Sequence, residues 1–235
     1  MKSLNHNDLN WIIHRTPKAV VDLLQANPKV FMAGGFIRSV ITNEPVNDID
    51  LFTNSKEASQ AAANGLTDRL GPVHETDNAY SVKPRNGPMV QFIHRWVFET
   101  PEKCLDSFDF TIACAAIWHD GHWKSLCDAN FYADLAAKRL VYSSPIRNED
   151  AGGSMLRVLK FYQRGYRIPL DSLGAVIARF VGELDEDGVG TLMSREGKTR
   201  EQATATVLTA RLREVDPSLE LAKQAHLPDT SGEAV

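Results

Sequence analysis

The chain has 235 residues, 43% of them hydrophobic, which is ample for one large cored domain or two small ones and marks an ordinary globular protein. Its formal net charge of -4 excludes a protein that coats nucleic acid by bulk electrostatics, so any RNA or DNA contact must be regional. The three cysteines, Cys104, Cys114 and Cys127, lack the close paired spacing of zinc or redox sites. The N-terminus shows no cleavable apolar leader, and no segment approaches the roughly 18 to 20 apolar residues that a membrane span needs. A reduced, cytoplasmic setting is the expectation.

TPKAVVDLLQA, from Thr16 to Ala26, has a threonine cap, a first-turn proline and apolar residues at helical spacing, and predicts a short amphipathic helix that Pro28 ends. KVFMAG reads as a buried strand, and the glycines after it turn the chain into a helix, FIRSVIT, which Pro45 stops. VNDIDLFT alternates apolar and acidic residues with a strand's period, so Asp48 and Asp50 project to one face while Ile49 and Leu51 face the core. SKEASQAAANGLTDRLG predicts a helix, AYSVKP and PMVQFIHRWVF strands, and TPEKCLDSF a short capped helix. DFTIACAAIW reads as another strand, with HDGHW as a hairpin turn. After about residue 143 strands cease; NEDAGGSMLRVLKFYQRGY, LDSLGAVIARFVGELD and TREQATATVLTARLREV read as helices, and DEDGVGT as a polar, glycine-containing loop.

The chemistry concentrates in FMAGGFIRSVITNEPVNDIDLF. Backbone amides at a glycine-rich helix N-terminus, with the positive end of the helix dipole behind them, receive phosphate groups, and glycine lets that backbone come close. Two aspartates on one face of a strand supply the hard oxygen ligands that Mg²⁺ prefers. Together they suit a metal-dependent transfer of a nucleotide. Arg38 has two readings: a contact to the triphosphate, or an ion pair with Asp48 or Glu44 on its own face.

These residues resemble the nucleotidyltransferase superfamily of DNA polymerase beta, whose signature is Gly-Gly or Gly-Ser, a helix, then Asp-x-Asp/Glu on a strand. Here Gly34 and Gly35 are followed by twelve residues and then Asp48-Ile49-Asp50. Within the superfamily, GGFIRSVITNEPVNDIDLF is most similar to the bacterial poly(A) polymerase and CCA-adding tRNA nucleotidyltransferase branch, which carries Gly-Gly-x-x-Arg-Asp; Arg38 takes the arginine position and Ser39 replaces the aspartate. SFDFTIACA resembles that branch's Arg-Arg-Asp-Phe-Thr-Ile-Asn-Ala, with Asp109 to Ile112 matching and Ser107 and Phe108 replacing both arginines. The resemblance gives Asp109 either a ribose contact or the place of a third metal ligand, the more so because Gln91 stands on the strand MVQFI where the branch often puts its own third acid.

DLAAKRLVYSSPIRNEDAGGSMLRVLKFYQRGYRI is similar to the branch's neck through Asp134, Leu135, Glu149, Asp150, Leu156, Arg157, Phe161, Gly165 and Tyr166. There a Glu-Asp-x-x-Arg element reads the incoming base; in this chain Gly153 holds the arginine's offset and Arg157 comes later. The resemblance spans roughly residues 30 to 168. It implies an α+β fold: a head with a mixed, largely antiparallel sheet flanked by helices over 1–142, N-terminal helix included, then a helical, neck-like domain over 143–235. It further implies an AMP or CMP transfer from ATP or CTP, with Mg²⁺ or Mn²⁺, to an RNA 3′ end. Asp48, Asp50 and Asp109 would be the catalytic and metal residues, and Gly34, Gly35, Arg38, Asp109, Asp150 and Arg157 the nucleotide contacts. Two alternatives stand beside it: transfer to a small molecule or a protein, as elsewhere in the superfamily, and a degenerate module that binds a nucleotide or partner without turnover.

Other features have blander readings. Arg157, Lys160, Arg164 and Arg167 recur at helical spacing, and Lys160, Arg164 and Arg167 are candidate RNA contacts, although a solvated helix face is the commoner cause of such a run. His94, His119 and His122 are scattered without triad or metal spacing. Trp96, Trp118, Trp123 and Tyr162 read as packing residues, with Tyr162 beside the basic run the exception.

Overall fold

The computed structural model describes residues 1–143, 151–182 and 184–215, and the chain divides into two compact units, residues 1–148 and 149–235. The first unit holds one seven-stranded sheet: β1 (Phe31–Ala33), β2 (Asp48–Phe52), β3 (Val73–Glu75), β4 (Ala79–Val82), β5 (Met89–Ile93), β6 (Ala115–Asp120) and β7 (His122–Cys127). Their order is β3-β4-β5-β2-β1-β6-β7, and every adjacent pair is antiparallel except β2 and β5. Helices α1 (His6–Arg15), α2 (Lys18–Ala26), α3 (Gly35–Thr42), α4 (Lys56–Asn64), α5 (Thr67–Leu70), α6 (Pro101–Leu105) and α7 (Phe131–Ala136) surround it. This is the mixed, mainly antiparallel α+β head that the sequence predicts.

Strand alternation sorts the two faces of the sheet. Ile49 and Leu51 of β2, Val90 and Phe92 of β5 and Ile117 of β6 have no exposed surface, and α2, α3 and α4 cover that side. Each such aliphatic side chain, taken fully out of water, contributes about 1.5 to 3 kcal/mol. The other face carries Phe31, Ala33, Phe52 and Ala116, which pack against Cys104 and Leu105 of α6 together with Phe98, Phe108 and Trp118. Asp50 and Asp48 step outward along β2 from Phe52, so the carboxylates emerge at the margin of this second core.

Several elements differ from expectation. Thr16 does not cap the second helix; its hydroxyl donates to Ile12 O at 2.8 Å, closing α1, and α2 starts beyond Pro17. SKEASQAAANGLTDRLG breaks at Gly65 into α4 and α5. DFTIACAAIW is not one strand: Thr111–Ala113 form a 3-10 turn before β6, because Ala113 N donates to Phe110 O and Cys114 N to Thr111 O. α1, β3 and α7 are not predicted from the sequence; β3 and α7, at three and six residues, are too short to show a period.

The second unit is helical, with α8 (Ala151–Gln163), α9 (Leu170–Gly182), α10 (Glu186–Glu196) and α11 (Arg200–Val215). α8 packs on α9 and α11, and α10 on α11. DEDGVGT, predicted as a loop, enters α10: the Asp185 carboxylate accepts from Gly188 N at 3.0 Å and caps the helix in spite of the glycines. Among the described residues no helix is long and apolar enough to cross a membrane.

Candidate active site

β1 runs into α3 through Gly34, whose φ of 91° and ψ of -139° suit glycine alone. Its N–H donates to Ala115 O on β6 at 2.9 Å, which fixes the turn, and no side chain caps α3. The first turn of α3 therefore opens with backbone amides and the positive end of the dipole. A Cβ on Gly34 would lie 3.6 Å from the Phe108 ring, and one on Gly35 would lie 3.7 Å from Arg38 Nη2.

Arg38 is buried beside that turn. Its Nη2 donates to Ser39 Oγ at 3.1 Å, and its Nε lies 3.7 Å from Glu44 Oε2. Of the two carboxylates within its sequence reach, the guanidinium thus faces Glu44. Ser39, which stands where the resembled branch has an aspartate, serves as its hydroxyl partner.

Asp48 and Asp50 are half-buried on one face of β2. Burial first, and the neighbouring Asp48 carboxylate second, push the Asp50 carboxyl up to about 7. A strand that holds two like charges this close at the edge of an apolar cluster is short of positive charge, and two hard oxygen donors in that state fit a divalent cation.

Asp109 is 7% exposed, and its backbone carbonyl accepts from Ser143 N at 2.8 Å. Among the described residues no three His, Cys, Asp or Glu side chains gather as a metal-holding group. FDFTI turns into the 3-10 segment Thr111–Ala113 ahead of β6. That turn is pinned by Asp134, wholly buried on α7, which accepts from Thr111 Oγ1 at 2.6 Å and from Arg139 Nε and Nη2 at 2.8 and 2.6 Å. An acid inside the apolar stretch FYADLA was the available signal for this anchor. Nothing in the sequence placed Phe108 against Gly34.

Gln91 is the direct partner of Asp50 across the parallel β2–β5 pairing. The remaining candidates belong to the second unit. Glu149 and Asp150 fall outside the described residues. Arg157 is half-buried and Lys160 exposed on α8, in the second unit. Arg164 and Arg167 lie beyond the end of that helix, against the Phe161 and Tyr162 rings at 5.8 and 5.3 Å, so the basic run is not one helical stripe. The cysteines are buried and free, and His94 packs on Tyr80 at 4.6 Å.

The model of one family, described as Gabija anti-defense 2 family protein, matches residues 3–138, which include Gly34, the Asp48/Asp50 pair, Asp109 and Asp134. The chain belongs to the Gabija anti-defense 2 family. This family member is also similar to solved structures. One is the Thermotoga maritima CCA-adding enzyme complexed with tRNA, at 17% identity and a TM-score of 0.57 over 92% of this chain and 57% of that one. A CCA-adding enzyme with ATP matches at 19% identity and a TM-score of 0.58, over 92% of this chain and 56% of that one. A tRNA-processing enzyme with CTP matches at 21% identity and a TM-score of 0.52, over 79% and 54%. At these identities the likeness is one of fold: the Gabija anti-defense 2 member has a nucleotidyltransferase fold and spans a little over half the length of those proteins. No curated protein sequence matches it.

Proposed function

We propose that this protein is a metal-dependent nucleotidyltransferase that moves AMP or CMP from a nucleoside triphosphate to an acceptor hydroxyl, at an RNA 3′ end, with release of pyrophosphate. The observation that carries the reading is the Asp48/Asp50 pair on β2, charged against itself, next to the uncapped N-terminus of α3 behind Gly34. Neighbouring folds seen with tRNA, CTP and ATP support it. A bound Mg²⁺ or Mn²⁺ would be held by Asp48 and Asp50 and would stabilise charge on the reacting phosphate.

The α3 amides would hold the β- and γ-phosphates, with Gly34 and Gly35 giving them close approach and the helix dipole adding to their pull. Arg38, lying against that turn, would contribute charge from behind Gly35. Asp109, held by the Asp134 anchor, would contact the ribose. In the transfer the acceptor oxygen bonds to the α-phosphorus and the bond to the bridging oxygen breaks. Its electron pair leaves on pyrophosphate, and the hydroxyl proton passes to water.

A second reading keeps the chemistry and moves the nucleotide to a protein or small-molecule hydroxyl; the family's anti-defense description favours an acceptor within a defence system. Incubation with α-labelled ATP or CTP, Mg²⁺ and total RNA, with and without cell extract, separates the readings by where label appears. Label on RNA 3′ ends supports the first reading and label on protein the second. Retention of full transfer by Asp48→Ala and Asp50→Ala would falsify both.

A further inference from the structure

The sheet order fixes more than the metal-binding pair. β1, which leads into the α3 N-terminus, flanks β2 on one side, and β5 followed by β4 flanks it on the other. A phosphoryl displacement runs in line, with attacking and leaving oxygens on opposite sides of phosphorus. If pyrophosphate leaves toward α3, the attacking hydroxyl must enter over β5 and β4.

That side carries a row of polar side chains in register with the carboxylates. Asp50 pairs with Gln91, Gln91 with Ser81, and Ser81 with His74, so one line of residues crosses four strands on the carboxylate face. Gln91 Nε2 donates to Ser81 Oγ at 3.4 Å, and Gln91 itself is half-buried. Lys83 follows directly after β4 and by strand alternation stands on this same face; Arg85 lies in the loop to β5. Both are exposed, and neither forms an ion pair with a described residue among the bridges of the structure. In a chain of net charge -4, residues 79–98 contain Lys83, Arg85, His94 and Arg95 and no aspartate or glutamate.

We infer that the β4–β5 hairpin is the acceptor subsite and that its acceptor is the phosphate-bearing 3′ end of a nucleic acid strand, with Lys83 and Arg85 on backbone phosphates and Gln91 orienting the terminal hydroxyl beside Asp50. The inference rests on the nucleotidyl-transfer reading. Cationic side chains next to a neutral amide suit a polyanion that ends in a hydroxyl, since a nucleic acid strand always brings phosphates beside its terminal hydroxyl and a protein hydroxyl does not. The strip lies within the first unit and draws on no residue of the second.

The test uses the full chain, a single-stranded RNA with a free 3′ hydroxyl and α-labelled ATP or CTP, and compares wild type with Lys83→Glu/Arg85→Glu and with Gln91→Ala. The charge reversal raises KM for RNA at least about tenfold, and it flattens the salt dependence of RNA binding by about 1.4 in log–log slope, for two lost contacts to a single strand. Binding of a fluorescent ATP analogue with Mg²⁺ stays unchanged in the same variant, which also shows that it is folded. Gln91→Ala lowers kcat about tenfold with KM for RNA unchanged. Unaltered KM and salt slope after charge reversal, or label transferred by wild type to protein and not to RNA, overturn this inference and leave nucleotidyl transfer standing. Label transferred by wild type to no acceptor removes the parent reading, and this one with it.

Discussion

Asp50→Asn isolates the electrostatic tension at the candidate site. The Asp50 carboxyl is raised from 3.8 to about 7, by burial above all and by Asp48 second. Below pH 3.8 the group is protonated in folded and unfolded chains alike. Between pH 3.8 and 7 the unfolded chain ionises first, so the folded state binds more protons and wild-type stability falls as pH rises. Above pH 7 the loss is complete, at about 4 kcal/mol, an upper value because Asp50 is only half-buried and water screens it. Asparagine carries no charge at any pH. The metal-free variant should therefore match wild type at acid pH and exceed it by up to about 4 kcal/mol at pH 8, or about 10 °C in Tm. Saturating Mg²⁺ at pH 8 should raise the wild-type Tm and leave the variant unmoved. Differential scanning fluorimetry in EDTA and in Mg²⁺, from acid to pH 8, reads both effects. An Asp50→Asn protein no more stable than wild type at pH 8 in EDTA refutes the view that the pair is held at a cost a cation relieves.

Gly34→Ala places a Cβ on a backbone with φ of 91°; the Phe108 ring at 3.6 Å leaves room, so the cost is conformational, about 1 to 3 kcal/mol, and shows as a lowered urea midpoint together with weakened ATP binding. Arg139→Ala leaves the Asp134 carboxylate, which has no exposed surface, with the Thr111 hydroxyl alone, and because the Arg139 side chain is itself half-exposed the cost should be about 1 to 3 kcal/mol in urea denaturation. Arg139→Lys, which keeps the charge but not the fork, should fall between the two, and a variant as stable as wild type would show that the buried anion does not depend on this pair.

The sequence was most legible where one local rule sufficed. The DIDLF alternation puts Asp48 and Asp50 opposite Ile49 and Leu51 because a strand has no other choice, and paired glycines between an apolar strand and FIRSVIT place a helix start there. Legibility failed where a distant partner decides the local outcome. DFTI has strand composition, yet Asp134, 23 residues on, takes the Thr111 hydroxyl and holds a 3-10 turn. Thr16 reads as a cap for TPKAVVDLLQA, yet its hydroxyl bonds back to Ile12 O and ends α1, a helix not predicted from the sequence. Register is likewise invisible from one strand: that Gln91 stands beside Asp50 follows from the parallel β2–β5 pairing, which needs both strands and everything between them.

The departures around the glycine turn have a common electrostatic consequence. Phe108, at a position where the resembled branch has arginine, packs its ring toward Gly34 and on Phe52 at 6.2 Å, so the turn faces an apolar wall where a second cation would otherwise stand. Arg38, the cation that remains there, faces Glu44 at 3.7 Å. With side-chain charge so reduced, the amides and dipole of α3 supply only about half an elementary charge toward a triphosphate. Under the proposed function the balance would come from a cation shared between the phosphates and the Asp48/Asp50 pair. Nucleotide and metal should bind as a unit: the carboxylates are costly to ionise without the metal, and the phosphates have too little cationic protein surface without it. Titrations of ATP in EDTA and in Mg²⁺ should differ by well over tenfold in Kd, and equal affinities would place the triphosphate away from this turn.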